Sequence, residues 1–399
     1  MSRPSAQDQL ARPALAVERV PPERWASIAD WDDAVAAAAS PSVYLTHDWV
    51  SAWWASFHKG LEPLLLRVSD AGGTTVGLAP LYLERPRRLP VRRLGILGDK
   101  LVGSEYLGLV ARAGREAEVA RATIGYLAEA GIRWDLAELI GLPEDDPAAA
   151  ALEAALAAGA AHTRGRRDPC VMAPLPDNFD DYLATLGYQF RQTYRRRHRK
   201  LEATFPVRYI TTDDEADLPA HLDRLFEMHQ AHWTAIGFSG SFFDPRMRAF
   251  YLEVSKRLLR AGRLRFWHLE VDGVIRACQY GYVYDGVEHS LQEGYDISFK
   301  APGIGSLGVV LRAQALRSAI EDDHLRGYDF LGGDQDFKTR WQTETRWIRT
   351  VQIAAPGPRG RLAWLATVSV ADARAWFVRV TPDRLVAAGR VARARLRGS

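Results

Sequence analysis

Residues 293–321 read EGYDISFKAPGIGSLGVVLRAQALRSAIE, and they are the most informative part of the chain. The pattern before Asp296 is that of a strand, and the spacing of apolar residues after Ser306 is that of a helix. A loop between a strand and a helix presents free backbone N–H groups to an anion, and the helix dipole adds to the attraction. Gly303 and Gly305 allow close approach because they carry no Cβ. The stretch predicts a phosphate or pyrophosphate site.

The same glycines allow a second interpretation. Gly303, Gly305 and Gly308 match the G-x-G-x-x-G fingerprint of dinucleotide-binding folds, and Asp329 follows at about the expected 20 residues. That fingerprint turns directly off its strand and opens its domain. Here residues 298–302 intervene and the motif comes late in the chain. We therefore favour a phosphate loop of another α/β family.

Strand and helix patterns alternate on both sides of this loop, which predicts an α/β class. The hairpin pattern at 64–83, LLLRVSDAGGTTVGLAPLYL, is echoed at 266–284 by FWHLEVDGVIRACQYGYVY. In the same way WDLAELIGLPEDD at 134–146 is echoed by RGYDFLGGDQD at 326–336. A repeat this long predicts a duplicated domain, and a chance likeness of two α/β hairpins is the alternative.

The length of 399 residues also favours two domains. The segment 164–180 is rich in charge and proline, so we place the boundary there. The sequence thus predicts a disordered start at 1–13, an N-terminal domain at 14–172, a C-terminal domain at 173–355 and a basic helical tail at 356–399. A packed terminal helix is favoured for the tail over a weak surface anchor.

Composition limits the classes of protein that fit. Apolar residues make up 47% and charged residues 25%, which is a globular composition, and the net charge of +3 gives no reason to expect a DNA partner. Cys170 and Cys278 cannot form a disulfide framework, and no zinc-ligand spacing is present. No export signal and no apolar run of about 20 residues is found. We expect a cytoplasmic protein that uses no metal.

Lys300, Gly303 and Gly305 resemble the Arg/Gln-x-x-Gly-x-Gly/Ala loop of the GNAT acetyltransferases, which binds the pyrophosphate of acetyl-CoA. Lysine replaces the usual arginine or glutamine but keeps a donor. More broadly, five segments in order resemble the CelD/BcsL-type acetyltransferases, a GNAT branch related to the FemAB peptidyltransferases. They are YLTHDWVSAWWASF (44–57), RQTYRRRHRKLE (191–202), FEMHQAHWTAIG (226–237), LQEGYDISFKAPGIGSLGVVL (291–311) and YDFLGGDQDFKTRW (328–341).

This resemblance spans about residues 40–352. It implies two tandem GNAT-like domains, each with a mixed sheet flanked by helices, in a FemAB-like architecture. It also implies acetyl-CoA or another acyl-CoA as co-substrate. The first half has Ala111-Arg-Ala-Gly-Arg115 in place of the paired glycines, so we expect it to be a degenerate structural or acceptor-binding partner.

Acyl transfer to an amine needs a bound thioester, an oxyanion donor and a base. Gly294 interrupts a strand and predicts a bulge or a close backbone approach. The resemblance implies that a splayed strand here aims an N–H at the thioester carbonyl. Glu293 is then a candidate base acting through water, or else a solvated strand residue. The predicted donor-binding residues are Gly294, Lys300, Gly303, Ile304, Gly305 and Ser306.

Asp329 and Lys338 lie on and after the next strand and complete the predicted catalytic set with Glu293. Lys338 resembles the lysine of the Phe-Lys motif in FemAB-type enzymes, where it is implied to stabilise transition-state charge. A surface lysine is the alternative. The predicted substrate-binding residues are Arg191, Tyr194, Arg195, His229, Trp233 and Trp341, although a histidine on an apolar helix is more often structural.

The basic run at 191–200 is either a solvated helix face or a binder of an anionic acceptor, a CoA 3′-phosphate or tRNA. Only Tyr194 interrupts it, and this shortage of aromatic residues argues against nucleic acid. The favoured hypothesis is therefore an acyl-CoA-dependent N-acyltransferase that works by direct attack of an amine on the thioester. Its partners would be a small acyl donor and an amine acceptor.

The family's association with exopolysaccharides suggests an amino sugar or a cell-envelope precursor as acceptor. It also suggests peripheral contact with envelope-synthesis machinery at the inner face of the membrane. Two alternatives stay open. One is a FemAB-like peptidyltransferase that uses aminoacyl-tRNA, and the other is a non-catalytic binding protein that keeps this fold.

Overall fold

The computed structural model describes residues 15–85, 91–99, 101–237, 240–300 and 303–369. The predicted disordered start at 1–13 lies outside these residues, as does the predicted tail beyond residue 369. Where the chain is described, strands and helices alternate, and the predicted α/β class is confirmed.

The strands pair into one continuous mixed sheet. They are β1 (Ala16–Val20), β2 (Leu61–Ser69), β3 (Thr75–Glu84), β4 (Arg93–Ile96), β5 (Val110–Ala111), β6 (Leu136–Pro143), β7 (His162–Pro174), β8 (Val207–Thr211), β9 (Leu264–Val271), β10 (Val274–Tyr284), β11 (Val287–Tyr295), β12 (Gly327–Gly332) and β13 (Glu344–Ala354). Their order across the sheet is β1-β2-β3-β4-β6-β13-β7-β12-β11-β10-β9-β8, and β5 pairs with β3.

Helices flank this sheet. The α-helices are α1 (Trp31–Ala36), α2 (His47–Phe57), α3 (Glu116–Glu129), α4 (Pro147–Ala157), α5 (Phe179–Thr185), α6 (Tyr188–Thr204), α7 (Leu218–Ala235), α8 (Pro245–Arg260), α9 (Leu307–Glu321), α10 (Asp336–Thr339) and α11 (Pro358–Trp364). Short 3-10 helices span Pro22–Ser27, Val43–Leu45 and Ser241–Phe243, and a π-helical turn spans Leu365–Ser369. None of the helices in the described ranges is long and apolar enough to cross a bilayer.

The two hairpins of the sequence repeat are present in corresponding places. In the turn between β2 and β3, the Asp70 carboxylate accepts hydrogen bonds from the N–H groups of Gly72 and Thr74. In the turn between β9 and β10, Asp272 and Gly273 both have positive φ, which is the backbone of a tight hairpin turn. Local turn chemistry therefore fixes the same supersecondary unit in each half.

The halves join at the segment that the sequence predicted as the domain boundary. Most of the segment 164–180 belongs to β7, and the predicted boundary at 172/173 falls inside this strand. β7 pairs with β13 along all eleven residues of β13 and with β12 on its other side. The charged residues of the segment pair with β13 themselves, so charge and proline here mark a strand that joins both halves.

Two apolar clusters fill the space between sheet and helices. The larger one contains buried tryptophans of the N-terminal half, among them Trp49, and extends to α7 and α8. The rings of Tyr44 and Tyr282 meet edge to face at 5.8 Å, which places residues of both halves in one core. The second cluster lies beneath α9 and holds Ile304 and Trp341.

Candidate active site

β11 and β12 pair as parallel strands at only three positions, and the last is His289 opposite Asp329. Beyond this point β11 continues to Tyr295 beside β10, whereas β12 stays beside β7. A cavity of about 660 Å³ lies where they part, and this volume is in the usual range for ligand pockets. Its walls come from both halves of the chain, from Gly103 and Glu105 on one side to Lys338 and Trp341 on the other.

The wall formed by β11 contains a β-bulge. Tyr280 pairs with Gln292 and Gly281 pairs with Ser290, so Leu291 is the extra residue on β11. A bulge leaves its extra residue outside the regular ladder and changes the direction of the strand. Leu291 and its two neighbours line the cavity. The bulge therefore brings backbone polar groups of β11 to the cavity surface.

Gly294 marks a close backbone approach, which is the second of the two roles predicted for it, and it does not mark the bulge. It pairs regularly with Cys278, and the bulge lies three residues earlier in the strand. A Cβ at Gly294 would lie 3.1 Å from the carbonyl oxygen of Leu225 and 3.1 Å from the Cβ of Met228. The glycine is needed because α7 packs closely on β11 at this point. Gly294 is not among the residues that line the cavity.

The predicted phosphate loop lies at the start of α9, as expected from the sequence. Gly303 and Gly305 have φ values of +80° and +72°, in the left-handed region that favours glycine. A Cβ at Gly303 would meet Lys200 Nζ, and one at Gly305 would lie 2.9 Å from the Arg197 guanidinium. Two cations of the basic helix α6 therefore lie directly against the loop.

The same loop offers unpaired donors. Ser306 precedes α9 without a side-chain capping bond, so the first N–H groups of the helix have no cap from that residue. Ile304 is buried in the apolar cluster and holds the loop in place. Burial lowers the pKa of Arg197, and the neighbouring cations Arg196 and Arg340 act in the same direction. A group of positive charges packed this closely favours an anionic ligand. Lys300 precedes the loop and is exposed.

Glu293 forms an ion pair with Arg312, a residue of α9 that is only 3% exposed. Both side chains line the cavity. The Arg312 guanidinium also lies over the ring of Phe330, 5.0 Å from its centre. Protonation of Glu293 would remove its negative charge and with it the ion pair with Arg312. The arrangement therefore suits a structural charge better than a proton acceptor.

Asp329 is fully buried and its carboxylate is held by donors from both halves. Oδ2 accepts from the Tyr106 hydroxyl at 2.7 Å, and Oδ1 accepts from the Leu331 N–H at 2.7 Å. His289 Nδ1 lies 3.6 Å from Oδ2. Asp329 does not line the cavity. Its contacts are those of a residue that positions the end of β12.

Lys338 binds the backbone at the end of β12. Its ammonium donates to the carbonyl oxygens of Phe330, at 2.7 Å, and Gly332. Between them Leu331 has a φ of +59°, and β12 bulges against β7 at this point. Burial lowers the pKa of Lys338, and the nearby Glu105 carboxylate opposes that shift. The lysine therefore holds a strained turn of backbone in place and puts a positive charge on the cavity wall.

The six predicted substrate-binding residues divide into two groups. His229, Trp233 and Trp341 line the cavity, and the Trp233 indole N–H donates to His229 Nε2 at 2.9 Å. Burial lowers the pKa of His229 to about 4, so its imidazole is neutral at pH 7.

The other three predicted residues lie on α6, away from the cavity lining. Arg191 donates to the carbonyl oxygens of Leu183 and Ala184 at the end of α5, and Tyr194 is buried in the second apolar cluster. Arg195 is exposed. Within α6, therefore, Arg197 and Lys200 are the residues that contact the loop, and the sequence pattern did not separate them from their neighbours.

Glu105 is a cavity residue that the sequence did not predict. It belongs to the N-terminal half, where it accepts from the Gly332 N–H at 2.8 Å and from the Cys170 thiol at 3.1 Å. Burial raises the pKa of Glu105 to about 7. Nothing in the local sequence marks this residue, because its partners are 65 and 227 positions away.

Comparison with known proteins agrees with this geometry. Residues 189–339 match the sequence model of the acetyltransferase (GNAT) domain family. The crystal structure of FemX superposes with a TM-score of 0.58 at 11% identity, over 84% of this chain and 96% of that one. A conserved protein of unknown function from Bacteroides thetaiotaomicron gives 0.53 at 14% identity, over 85% and 99% of the two chains.

The C-terminal domain of a putative lysylphosphatidylglycerol synthetase from Agrobacterium fabrum gives a TM-score of 0.50 at 13% identity, over 86% and 97% of the two chains. No curated protein matches the sequence. At these identities the likeness is one of fold, and it extends over both halves. The predicted tandem GNAT-like, FemAB-like architecture is confirmed as the fold of the chain, and the match to the acetyltransferase (GNAT) domain family covers residues 189–339.

Proposed function

We propose that this protein is an acyl-CoA-dependent N-acyltransferase of the CelD/BcsL-type branch. The observation that carries the proposal is the anion-binding end of the cavity. There the glycine loop, the start of α9, Arg197 and Lys200 meet. A pyrophosphate bound at this point would receive backbone N–H donors and two positive charges.

The pantetheine arm of the donor, with the acyl thioester at its end, would run from this loop into the gap between β11 and β12. Ser306 and Gly308 line the cavity at the loop end, and the bulged residue Leu291 lines it on β11. In our proposal a backbone N–H of the bulge donates to the thioester carbonyl oxygen, where negative charge develops during attack. Lys338 adds a positive charge to the wall formed by the end of β12.

The acceptor would be an amine that attacks the thioester directly. None of the residues lining this cavity is a cysteine, and among the described residues no hydrogen bond joins either of its serines, Ser290 and Ser306, to a histidine. Trp233 and Phe337 line the cavity with rings that are 37% and 47% exposed. Such flat apolar surfaces suit a sugar ring, so we propose an amino sugar or another envelope precursor as acceptor, reached by peripheral contact with the machinery that makes it.

One observation favours a second donor. Arg195, Arg196 and Arg199 are exposed on α6, the helix that carries the cations of the loop. An array of exposed arginines can follow a nucleic acid backbone, as an aminoacyl-tRNA donor would require. The two donors differ in a measurable way, since only tRNA is large enough to engage all of these arginines.

Calorimetric titration with acetyl-CoA and longer acyl-CoAs tests the proposal, with Gly305→Val as the site variant. Gly273→Val is the matched control, because Gly273 has the same backbone region, φ +74°, and nothing within 4 Å of an added Cβ. We expect saturable binding by the wild type and the control, and its loss in Gly305→Val. If no acyl-CoA binds the wild type, the donor is not an acyl-CoA.

A further inference from the structure

We propose that Glu105, from the half of the protein without the glycine loop, is the base that accepts a proton from the acceptor amine. This inference rests on the proposed function and names a residue for its chemistry. Glu105 lines the cavity together with Lys338 and the bulge of β11. The N-terminal half would then supply a catalytic residue as well as a structural wall.

The segment that carries Glu105 is anchored within its own half and also contacts the C-terminal half. The Trp49 indole donates to Ser104 Oγ at 3.0 Å, and the Leu107 N–H donates to the Gly141 carbonyl oxygen at 2.9 Å. A Cβ at Gly103 would lie 3.3 Å from Leu291 Cδ1, so the segment contacts the bulged residue itself. Glu105 is thus fixed beside the place proposed for the thioester carbonyl.

The environment of Glu105 lets it exchange a proton near neutral pH. Burial raises its pKa to about 7, whereas the bonds from Cys170 and Gly332 favour the charged form. A base works best when its pKa is close to the working pH. The titratable groups that face it are Cys170 of β7, Asp329 of β12, Lys338 of α10, and the hydroxyls of Tyr44, Tyr106 and Tyr282.

Other candidate bases of the cavity are less suitable. Glu293 is ion-paired with Arg312, and Asp329 is fully buried and does not line the cavity. His229 accepts the Trp233 N–H on Nε2, and its lowered pKa makes it a weak base at pH 7. Glu105 combines exposure to the cavity, fixed geometry and a suitable proton affinity.

The acceptor ammonium gives one proton to the Glu105 carboxylate and becomes a neutral amine. Its nitrogen attacks the thioester carbonyl carbon, the C–N bond forms and the C–S bond breaks. The second proton of the nitrogen goes to the departing sulfur, so that CoA leaves as a thiol. Glu105 releases its proton to solvent when the amide product leaves.

A pair of probe amines tests this role. Ethylamine is protonated at pH 7 and needs a base, whereas hydroxylamine is already neutral. Release of the CoA thiol from acetyl-CoA is measured with each amine for the wild type, Glu105→Gln and the exposed control Glu129→Gln. We expect Glu105→Gln to lose about 100-fold or more with ethylamine and to keep most of its rate with hydroxylamine. Equal loss with both amines, or no loss with either, would overturn the assignment.

A second measurement needs no acceptor. Infrared difference spectra of the wild type against Glu105→Gln, recorded over a pH series, report the protonation of this carboxyl directly. We expect a carboxyl band that titrates near pH 7 and is missing from the variant, and a carboxyl that stays ionised below that pH contradicts the role. If the wild type binds no acyl-CoA in the calorimeter, the proposed donor fails while the infrared result still stands.

Discussion

The Tyr106 hydroxyl donates a hydrogen bond to Asp329 Oδ2 at 2.7 Å, and the two residues are 223 positions apart in the chain. Tyr106 comes directly after Glu105, the proposed base. Asp329 comes directly before the turn of β12 whose carbonyl oxygens accept hydrogen bonds from the Lys338 ammonium. A single contact therefore aligns the N-terminal wall of the cavity with the C-terminal one. It connects stability and activity, because the two walls must hold their relative position for the chemistry.

Replacing Tyr106 by phenylalanine should leave the buried Asp329 carboxylate with one donor fewer. We expect a loss of about 1–3 kcal/mol in the free energy of unfolding. Urea unfolding of Tyr106→Phe measures it, with Tyr126→Phe on α3 as the control for removing a tyrosine hydroxyl. An unchanged midpoint in Tyr106→Phe would show that the contact contributes nothing to stability.

Cys170 gives a test of pH dependence. Its thiol donates to Glu105 and stabilises the ionised carboxylate, which keeps the pKa of Glu105 lower than burial alone would. Cys170→Ala removes that donor, so the pKa should rise and the acidic limb of the rate profile should move to higher pH. Cys170→Ser keeps a donor and should leave the limb near its original position. A shift to lower pH in Cys170→Ala would contradict the assigned role.

The cations of α6 should separate the two candidate donors. Arg197→Ala and Lys200→Ala each remove a charge beside the loop, and we expect each to weaken acyl-CoA binding by about tenfold. Arg199→Ala is the control, since Arg199 donates to a carbonyl of its own helix. If Arg199→Ala weakens donor binding as much as the other two do, the wider basic face takes part and a tRNA donor is favoured.

Lys338→Ala should reduce turnover more than it reduces donor affinity. The ammonium lies on the wall near the developing negative charge, and losing such a group costs about 100-fold in rate. Calorimetry and thiol release on the same preparation separate the two effects. A variant with unchanged turnover would remove Lys338 from the mechanism and leave it a purely structural residue of β12.

Glu288 should make stability fall as pH rises. It is fully buried, neither of its oxygens has a hydrogen-bond partner among the residues that the structure describes, and burial raises its pKa to about 8. The folded state therefore holds a proton that the unfolded state releases above about pH 4.3, so the free energy of unfolding decreases from there up to about pH 8. Glu288→Gln should lack this decline. Unfolding midpoints measured at several pH values compare the two proteins, and parallel curves would contradict the prediction.

The sequence predicted those helices, turns and loops that are determined by residues close together in the chain. α2 spans His47–Phe57, and its start is fixed locally because the Thr46 side chain caps its first turn. The hairpin turns at Asp70 and Asp272 were predicted for the same reason, since turn residues act on their own backbone. The loop at Gly303 and Gly305 was placed correctly before α9.

The contacts that shape the cavity are long-range, and local patterns could not predict them. The bulge at Leu291 depends on the pairing of β10 with β11, and the glycine at 294 was a misleading sign of its position. Glu105 acquires its importance from Gly332 and Cys170, which only the fold brings near. The pairing of Arg312 with Glu293 likewise depends on how α9 packs on β11.

The position of β13 in the sheet has a consequence for biosynthesis. This strand is formed by Glu344–Ala354 and inserts between β6 and β7, both of which are made much earlier on the ribosome. Until β13 emerges, β6 and β7 each expose an unpaired edge, which is a site for wrong pairing with other chains. The N-terminal half thus cannot complete its sheet until β13 has been synthesised, and we expect a nascent chain that stalls before residue 344 to be prone to aggregation.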